Sequence, residues 1–236
     1  MSLRKFFLKY TLTYKIYLFY NLFIRHKSFL NRPSYSQWGE DIEIINYFKN
    51  QQRGKYLDIG CFHPLMYSNT YLLYRKGWSG INIDLNQTTI DLFSIARPDD
   101  LNLCRIIGSE EKKVKVYFDS LFSPVNTADE TFYSEHKETF FKNKFIREVI
   151  SEKFHNIVEE NSISEIDFIN IDAEGMDYQV LQQVDLNKFK VSLIAIETHY
   201  VNGKETKDYL NIIKLLKINS FIELKRCGPT TLFYRN

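Results

Sequence analysis

The sequence predicts an α/β fold in which a mostly parallel sheet carries helices on both faces, and three observations predict it. Short apolar runs, typical of buried parallel strands, alternate along the 236 residues with segments of helical character. Three of these runs, 56–60, 81–84 and 166–172, end in a glycine or a carboxylate. Because ligands of open α/β sheets bind at the carboxyl ends of the strands, these ends predict a binding crevice.

The expected strands follow directly from the apolar runs. Five parallel strands are expected at residues 56–60, 80–84, 101–107, 166–171 and 191–196. Alternating apolar residues at 113–118 predict an additional edge strand. The tail has runs at 219–225 and 230–235, joined through Gly228 and Pro229, and predicts a hairpin that adds an antiparallel edge.

Helices are expected between the strands. They lie near residues 42–48, and at 67–76, 87–96, 151–161, 175–185 and 204–217. Gly77 ends the second of these helices and Pro98 stops the third, whereas Ser151 is a suitable N-cap for the fourth. Residues 119–145 are polar and aromatic and fit no regular element.

An N-terminal helical extension, residues 1–32, is expected to precede a single domain at residues 33–236. Residues 3–30 contain no glycine or proline, which predicts a helix. The longest uncharged run, 16–24, is much shorter than the roughly 20 apolar residues of a membrane span. Two alternatives stay open for this arm: an interfacial helix on an anionic membrane surface, or a helix packed on its own domain or on a partner chain.

Charge is distributed unevenly along the chain. Residues 1–39 contain seven Lys or Arg and no acidic residue, whereas the remainder carries 24 basic and 29 acidic residues, a net charge of −5. A basic arm on a mildly acidic body argues against nucleic acid as a partner, because nucleic-acid-binding proteins usually carry basic residues across the fold. The three widely spaced cysteines fit reduced thiols, so the expected location is cytoplasmic, with the inner face of the membrane in reach of the arm.

The first two strand ends predict the kind of ligand. Gly60 closes the first strand, after Asp58, and lets the backbone approach a ligand closely. The dinucleotide fingerprint GxGxxG is absent, which argues against nicotinamide and flavin dinucleotides. Asp84 ends the second strand and can accept hydrogen bonds from ribose hydroxyls, although it could also cap the following helix. Together these residues favour a ligand that carries a nucleoside but no pyrophosphate.

Four stretches of the chain carry a family likeness: residues 35–41, 57–60, 77–84 and 167–175. In this order and spacing they resemble the FkbM family of S-adenosylmethionine-dependent methyltransferases. The resemblance implies a Rossmann-like, seven-stranded methyltransferase fold that transfers a methyl group to oxygen. It also implies that Gly60 lies under the methionine part of the cofactor. Residues 61–64 depart from the pattern, because many methyltransferases have a second glycine there.

Further polar residues are expected in the cofactor site. Ser68, Asn69 and Thr70 could bind the carboxylate of the cofactor at a helix N-terminus. Gln37 belongs to a segment that the resemblance places over the pocket, although Ser36 could instead cap a helix there. The predicted cofactor-binding residues are Gln37, Asp58, Gly60, Ser68, Asn69, Thr70, Asp84 and Ser109.

Three residues are candidates for catalysis: Asp172, Glu174 and His199. Methyl transfer to a hydroxyl needs a base, because a neutral alcohol is a poor nucleophile. Asp172 and Glu174 end the fourth parallel strand and could act directly or, as the less favoured alternative, hold a divalent metal ion. His199 follows the neighbouring strand and titrates near neutrality. The alternative roles are a favourable charge at a helix N-terminus for Glu174 and a surface position for His199.

Three functions are compatible with these observations. The first is S-adenosylmethionine-dependent O-methylation of a small-molecule or glycan acceptor, with residues 119–150 as the expected region of acceptor specificity. The second is a nicotinamide-dependent oxidoreductase on a similar sheet, which the missing GxGxxG opposes. The third is a non-catalytic, membrane-associated module, which the polar residues at four strand ends oppose.

Overall fold

A computed structural model describes residues 11–120, 123–141 and 145–235. The strands in these ranges are β1 (Lys55–Ile59), β2 (Ser79–Asp84), β3 (Leu101–Cys104), β4 (Lys112–Phe118), β5 (Phe145–Ser151), β6 (Phe168–Ile171), β7 (Leu193–Glu197), β8 (Ile222–Cys227) and β9 (Thr230–Tyr234). Seven of them form one sheet in the order β3-β2-β1-β6-β7-β9-β8. The first five strands in this order are parallel, and β9 and β8 are antiparallel. The predicted fold class, with its C-terminal antiparallel hairpin, is therefore confirmed.

Helices precede the sheet and connect its strands. The described α-helices are α1 (Leu12–Phe19), α2 (Glu40–Tyr47), α3 (Tyr71–Arg75), α4 (Gln87–Ala96), α5 (Glu130–His136), α6 (Phe154–Glu160), α7 (Asp177–Gln183) and α8 (Tyr209–Ile218). A π-helical turn, Tyr20–Arg25, and a 3-10 turn, Lys27–Phe29, follow α1. The helix expected from residue 67 begins only at Tyr71, because Tyr67 has a φ of +58° and so cannot be part of a right-handed helix.

One predicted strand does not join the main sheet. β4, expected as an edge strand, pairs instead with β5 in a separate two-stranded antiparallel sheet. The helix predicted from Ser151 is wrong in its first turn, because Ser151 ends β5 and donates a hydrogen bond to the carbonyl of Glu110 (2.9 Å). The sequence gives no clear alternation for β5, since Ile146 and Ile150 are exposed on the face opposite its half-buried residues.

The order of the strands creates a topological switch point beside β1. From β1 the chain moves outward through β2 to β3, and it then returns to β6 on the other side of β1. Leu57 of β1 lies between Ile81 of β2 and Ile169 of β6, so the carboxyl ends of these three strands meet at one edge. A crevice is expected at such a point, because the flanking connections diverge to opposite sides.

Apolar side chains cover both faces of the sheet. Alternation along β1 directs Leu57 and Ile59 into the larger buried cluster, to which α6, α7 and α8 contribute. It directs Tyr56 into the smaller cluster, to which α2 and α3 contribute. Asp58 points to the same side of the strand as Tyr56 and is 1% exposed, so this carboxylate needs buried partners.

The arm packs one side of α1 on the rest of the chain. Leu18 and the following Leu22 are buried in a cluster with Leu65 and Leu92. The packed-helix alternative therefore holds for this side, whereas the opposite side of α1 carries exposed apolar side chains. Within the ranges described, no helix is long and apolar enough to cross a membrane. The first residues of the predicted helix, 3–10, lie outside the described residues, and the boundary between 1–32 and 33–236 stays a prediction.

Candidate active site

Three adjoining cavities open at the carboxyl edge of the sheet. Two of them share Gly60, Phe62, Pro124, Asp172 and Glu174 and together form the inner cleft at the ends of β1, β2 and β6; Asp84 and Ile106 line one of the two, and Asn69 lines the other. The outer cleft has a volume of about 860 Å³, and its lining includes Tyr67, Phe132, Phe140, Asp172, Glu174, Asp177, Glu197 and Tyr200. Because Asp172 and Glu174 line both clefts, they stand at the junction between them.

Gly60 has a structural role in addition to the predicted contact with the cofactor. Its φ is +77°, and a Cβ at this position would lie 1.7 Å from the carbonyl oxygen of Asp172. The backbone amide of Asp172 donates to Ile59 (3.0 Å), which holds the ends of β1 and β6 together. A side chain is therefore excluded by the neighbouring backbone and not only by a ligand, although Gly60 does line the inner cleft.

Asp84 presents a partly satisfied carboxylate to the inner cleft. It accepts hydrogen bonds from the backbone amides of Phe62 (3.2 Å) and Asn86 (2.7 Å), one on each oxygen. Burial is the main cause that raises the pKa of Asp84 to about 7. Each carboxylate oxygen has a second lone pair, so the group can still accept from two hydroxyls of a ligand. The helix that follows is capped by Asn86, whose side chain accepts from the amide of Thr88 (3.0 Å), so the capping alternative does not hold for Asp84, and its remaining lone pairs are chemically compatible with ribose binding.

Asn69 carries an acceptor that no described group satisfies. Its amide nitrogen donates to the side chain of Asn170 (2.9 Å), and Asn170 in turn donates to Asp58 (2.9 Å). The side-chain oxygen of Asn69 is buried and has no hydrogen-bond partner. Since buried polar atoms are nearly always paired, a donor from a ligand fits here, and the ammonium of the methionine part of the cofactor is such a donor.

Ser68, Thr70 and Asp58 are held by a buried arginine that the sequence analysis missed. Arg97 is fully buried at the end of α4 and donates to the hydroxyls of Ser68 (2.7 Å) and Thr70 (2.8 Å) and to the carbonyl of Pro64. The hydroxyl of Thr70 donates a hydrogen bond to Asp58 (2.6 Å). Thr70 is not in the lining of either cleft, so it supports the site from behind and does not contact the cofactor as expected. Nothing in the sequence around Arg97 distinguishes it from a surface arginine.

The two carboxylates at the junction are electrostatically unusual. Asp172 is exposed to the cleft, where the surrounding protein partly desolvates its carboxylate; this desolvation and the nearby charge of Asp177 raise the pKa of Asp172 to about 7. Burial, together with the charge of Asp172, raises the pKa of Glu174 well above its usual value. Asp177 accepts from the amides of Ala173 (2.9 Å) and Gly175 (3.3 Å), which fixes the turn between β6 and α7. This turn holds Glu174 at a φ of +46°.

Glu197 is a further site residue that the sequence analysis did not select. It ends β7, one position beyond the pair formed by Ile171 and Ile196, and it lines the outer cleft. Burial, together with the charge of Asp172, raises the pKa of Glu197 to about 9. Its position at the end of an apolar strand was the available signal, and it is the same signal that identified Asp84 and Asp172.

The structure does not bring His199 to the carboxylates. The backbone amides of Thr198 and His199 both donate to the carbonyl of Pro229 (3.1 Å each), so the chain after β7 follows the hairpin. The imidazole contacts the hydroxyl of Thr198 (2.8 Å) and the ring of Tyr209, and neither cleft has His199 in its lining. A hairpin contact far along the chain therefore decides the direction of this side chain.

Ser109 is a second residue that the structure keeps apart from the site. The third strand was expected to reach residue 107, but β3 ends at Cys104. Ser109 lies exposed in the connection to β4, and the wall beside Asp84 is formed instead by Arg105 and Ile106. The shorter strand is the reason for the difference, because the chain leaves the sheet before Ser109.

Gln37 lines both the inner and the outer cleft. The segment before it is fixed by Asp41, a buried carboxylate that accepts from the hydroxyls of Ser34 and Ser36 (2.7 Å each). Ser36 also accepts from the amide of Gly39 (3.0 Å), which is the residue before α2. Both alternatives for this segment are therefore compatible: it starts a helix, and it carries Gln37 to the cleft.

Part of the lining of the outer cleft comes from residues 119–145, for which the sequence predicted no regular element. Phe132 and His136 come from α5, Phe140 follows it, and all three line the cavity. Lys207, another lining residue, is paired with Asp129 (2.7 Å). In the part of the chain that the structure describes, no group of three or more His, Cys, Asp or Glu is arranged to hold a metal ion.

Comparison with known proteins identifies a family model, described as the methyltransferase FkbM domain, that matches residues 47–228. No curated protein matches the chain. A TehB-like SAM-dependent methyltransferase from Corynebacterium glutamicum has a similar solved structure, with 12% sequence identity and a TM-score of 0.48 over 94% of this chain and 97% of that chain. A likeness of that size has no bearing on function, whereas the family match covers most of the chain.

Proposed function

The chain belongs to the FkbM family of methyltransferases, and from that premise we propose that it methylates a hydroxyl of a sugar or glycan. S-adenosylmethionine is the methyl donor of this family, and when bound it supplies an electrophilic methyl group on a sulfonium. The observation that carries the proposal is the position of Asp172 at the junction of the two clefts. A base at this point lies between a site that suits a nucleoside cofactor and a cavity that suits an acceptor.

The inner cleft offers two groups that would hold the cofactor. Asp84 has lone pairs left for the two ribose hydroxyls, and Asn69 has a buried oxygen that lacks a donor. Gly60 leaves the floor between them without a side chain. These groups bind and orient, and orientation of two reactants accounts for a large part of the rate in such transfers.

The carboxylates of the outer cleft divide into a base and hydrogen-bond donors. A base is most effective when its pKa lies near the working pH, and the pKa of Asp172 is about 7. Glu197, with a pKa of about 9, stays protonated at neutral pH and can donate a hydrogen bond to an acceptor oxygen. In the proposed reaction Asp172 would take the proton of the acceptor hydroxyl; the cofactor would supply the methyl group, its S–CH3 bond would break as the O–CH3 bond forms, and S-adenosylhomocysteine would be the leaving group.

The lining of the outer cleft supports a sugar as the acceptor. Phe132, Phe140 and Tyr200 offer flat apolar surfaces, and several carboxyl groups share the lining with them. Carbohydrates present apolar C–H faces and many hydroxyls, so this combination suits them better than it suits a purely apolar ligand. Most of the charged lining is acidic, which favours a neutral acceptor over an anionic one.

The test is product analysis after incubation of the protein with S-adenosylmethionine carrying a labelled methyl group and a panel of glycans and lipids. We expect label on a sugar oxygen, located by mass spectrometry. Transfer to nitrogen or carbon, or no transfer to any member of the panel, would contradict the proposal.

Two variants separate binding from turnover. Asp172→Asn should retain binding of S-adenosylhomocysteine but lower kcat by about 100-fold or more, because a general base is lost. In the wild type kcat should fall as the pH drops below about 7, where Asp172 is protonated, and Asp172→Asn should lack this acidic decline in kcat.

Asp84→Ala should instead weaken S-adenosylhomocysteine binding in calorimetry by roughly tenfold or more. His199→Gln serves as the control and should keep both properties, and unchanged turnover in Asp172→Asn would remove the base from the mechanism.

A further inference from the structure

One side of the arm exposes a row of large apolar side chains. The arm face consists of Leu12, Ile16, Phe19, Tyr20, Phe23 and Ile24, which are between 46% and 74% exposed. Spacings of three and four residues place them on the same side of α1 and the π-helical turn. The rings of Phe19 and Phe23 contact each other at 5.6 Å, so the face is continuous.

The arm cannot hide this face by rotating on the domain. Leu18, Asn21 and Leu22 lie on the opposite side and are at most 4% exposed. The hydroxyl of Tyr14 donates to Asp91 of α4 (2.7 Å), which adds a polar contact to the packed side. Contiguous apolar surface of this kind on an otherwise ordinary domain marks an interaction site.

Charge identifies the kind of partner. Lys15, Arg25 and Lys27 are exposed on the same segment, and no acidic residue occurs among the first 39 residues, whereas the rest of the chain has a net charge of −5. A face that is apolar in the middle and basic around it complements a surface that is apolar inside and anionic at its edge. A second copy of the chain would place like charges against each other. We infer that the arm face docks on a lipid bilayer with anionic headgroups.

The arm also ends beside the active-site clefts. The ring of His26 lies 5.2 Å from that of His63, in the loop after β1. The ring of Phe29 contacts Tyr67 at 5.8 Å, and Tyr67 lines both clefts. Docking through the arm face therefore brings the rim of the clefts to the membrane surface. If the proposed function holds, on which this consequence rests, the acceptor is a glycan attached to a lipid.

The experiment is flotation of the full-length protein with two kinds of vesicle. One contains phosphatidylcholine alone, and the other contains phosphatidylcholine with roughly a third of anionic phosphatidylglycerol. We expect the wild type to float with the anionic vesicles and to be released by high salt. The double variant F19S/F23S should bind about tenfold less or weaker still, because it removes two apolar side chains from the interface. The matched control is L210S/I218S, which removes two side chains of α8 that are 74% and 70% exposed, and it should float like the wild type.

Three results would overturn the docking surface. They are absence of flotation by the wild type, equal flotation of the wild type and F19S/F23S, and a wild-type dimer in lipid-free buffer that F19S/F23S converts to a monomer. Methyl transfer to the panel of glycans and lipids, which includes soluble and lipid-linked glycans, is measured in parallel on both proteins. A wild type that floats but transfers no methyl group refutes the proposed function while it supports the docking, so the two failures are distinguishable.

Discussion

At the residue scale, equivalent positions acquire different chemistry from their surroundings. Asp84 and Glu197 end parallel strands, and Asp172 directly follows one. Asp84 is tied to two backbone amides, whereas neighbouring carboxylates raise the pKa values of Asp172 and Glu197 in addition to burial. Environments that push the pKa values of adjacent acids apart are how one site obtains both a base and a proton donor.

Substitution of Gly60 tests the close backbone contact between this residue and the carbonyl oxygen of Asp172. Gly60→Ala should lower the free energy of unfolding by about 3 kcal/mol or more, because a positive φ is combined with a Cβ placed against a carbonyl oxygen. Gly77→Ala is the matched control: its φ is +95°, but no atom lies within 4 Å of the added Cβ, so the loss should be about 1–2 kcal/mol. Urea unfolding measures both, and equal losses would refute the contact.

At the element scale, Arg97 joins three parts of the fold. It extends from the end of α4 to the loop that precedes α3, and through Thr70 it reaches Asp58 in β1. Its guanidinium also lies over the ring of Phe93, 4.8 Å from the centroid. The network positions Asn69 indirectly, since Asp58 also holds Asn170, the partner of Asn69. Arg97 thus supports the floor of the inner cleft from behind, and it is linked through Thr70 to Asp58, which lines that cleft.

Removal of that arginine should be costly. Arg97→Met would leave the carbonyl of Pro64 and the hydroxyls of Ser68 and Thr70 without their donor and would remove the positive charge near the buried Asp58, with an expected loss of about 3–5 kcal/mol in the free energy of unfolding. Arg105→Met is the control, because Arg105 is 34% exposed and pairs with Glu152 at the surface, where a loss of at most about 1 kcal/mol is expected. Urea unfolding at neutral pH is the measurement. A loss below about 1 kcal/mol for Arg97→Met would contradict the compensation of Asp58.

At the scale of the whole molecule, the fold gathers acids that are distant in the sequence. Asp172 and Asp177 border the turn after β6, and Glu197 comes from β7. In the folded protein the pKa of Glu197 is about 9, whereas glutamate in an unfolded chain titrates near about 4.3. The folded state therefore binds more protons than the unfolded state between these values, and its stability declines as the pH rises.

This linkage predicts the pH dependence of stability. In the absence of cofactor, the urea midpoint should fall between about pH 5 and pH 9, since the folded state must then give up protons that burial favours. Glu197→Gln should show a shallower decline, because the amide does not titrate. Glu148→Gln, at an exposed position of β5, is the control and should follow the wild type. Stability that rises over this range, or an unchanged slope in Glu197→Gln, would show that the raised pKa is wrong.

The sequence by itself determined the architecture and the position of the crevice. Apolar runs are local signals, and strands at 56–60, 80–84, 166–171 and 191–196 were found because burial on both faces requires them. The glycine and the carboxylates at the strand ends located the crevice, and the folded sheet shows that it lies at the switch point beside β1. The family likeness was also readable, because the motifs that carry it are contiguous.

Only the tertiary structure decided where side chains beyond the strand ends point. His199 turns away because two backbone amides bind Pro229, which is 30 residues further along the chain. Arg97 is buried because Ser68, Thr70 and Pro64 offer it acceptors. The buried and exposed sides of α1 were likewise unreadable, since both sides are apolar. In each case the local sequence pattern permits several side-chain orientations equally. Contacts between segments that are distant in the sequence select one of them, and this is why the periodicity of apolar residues could not predict the orientation.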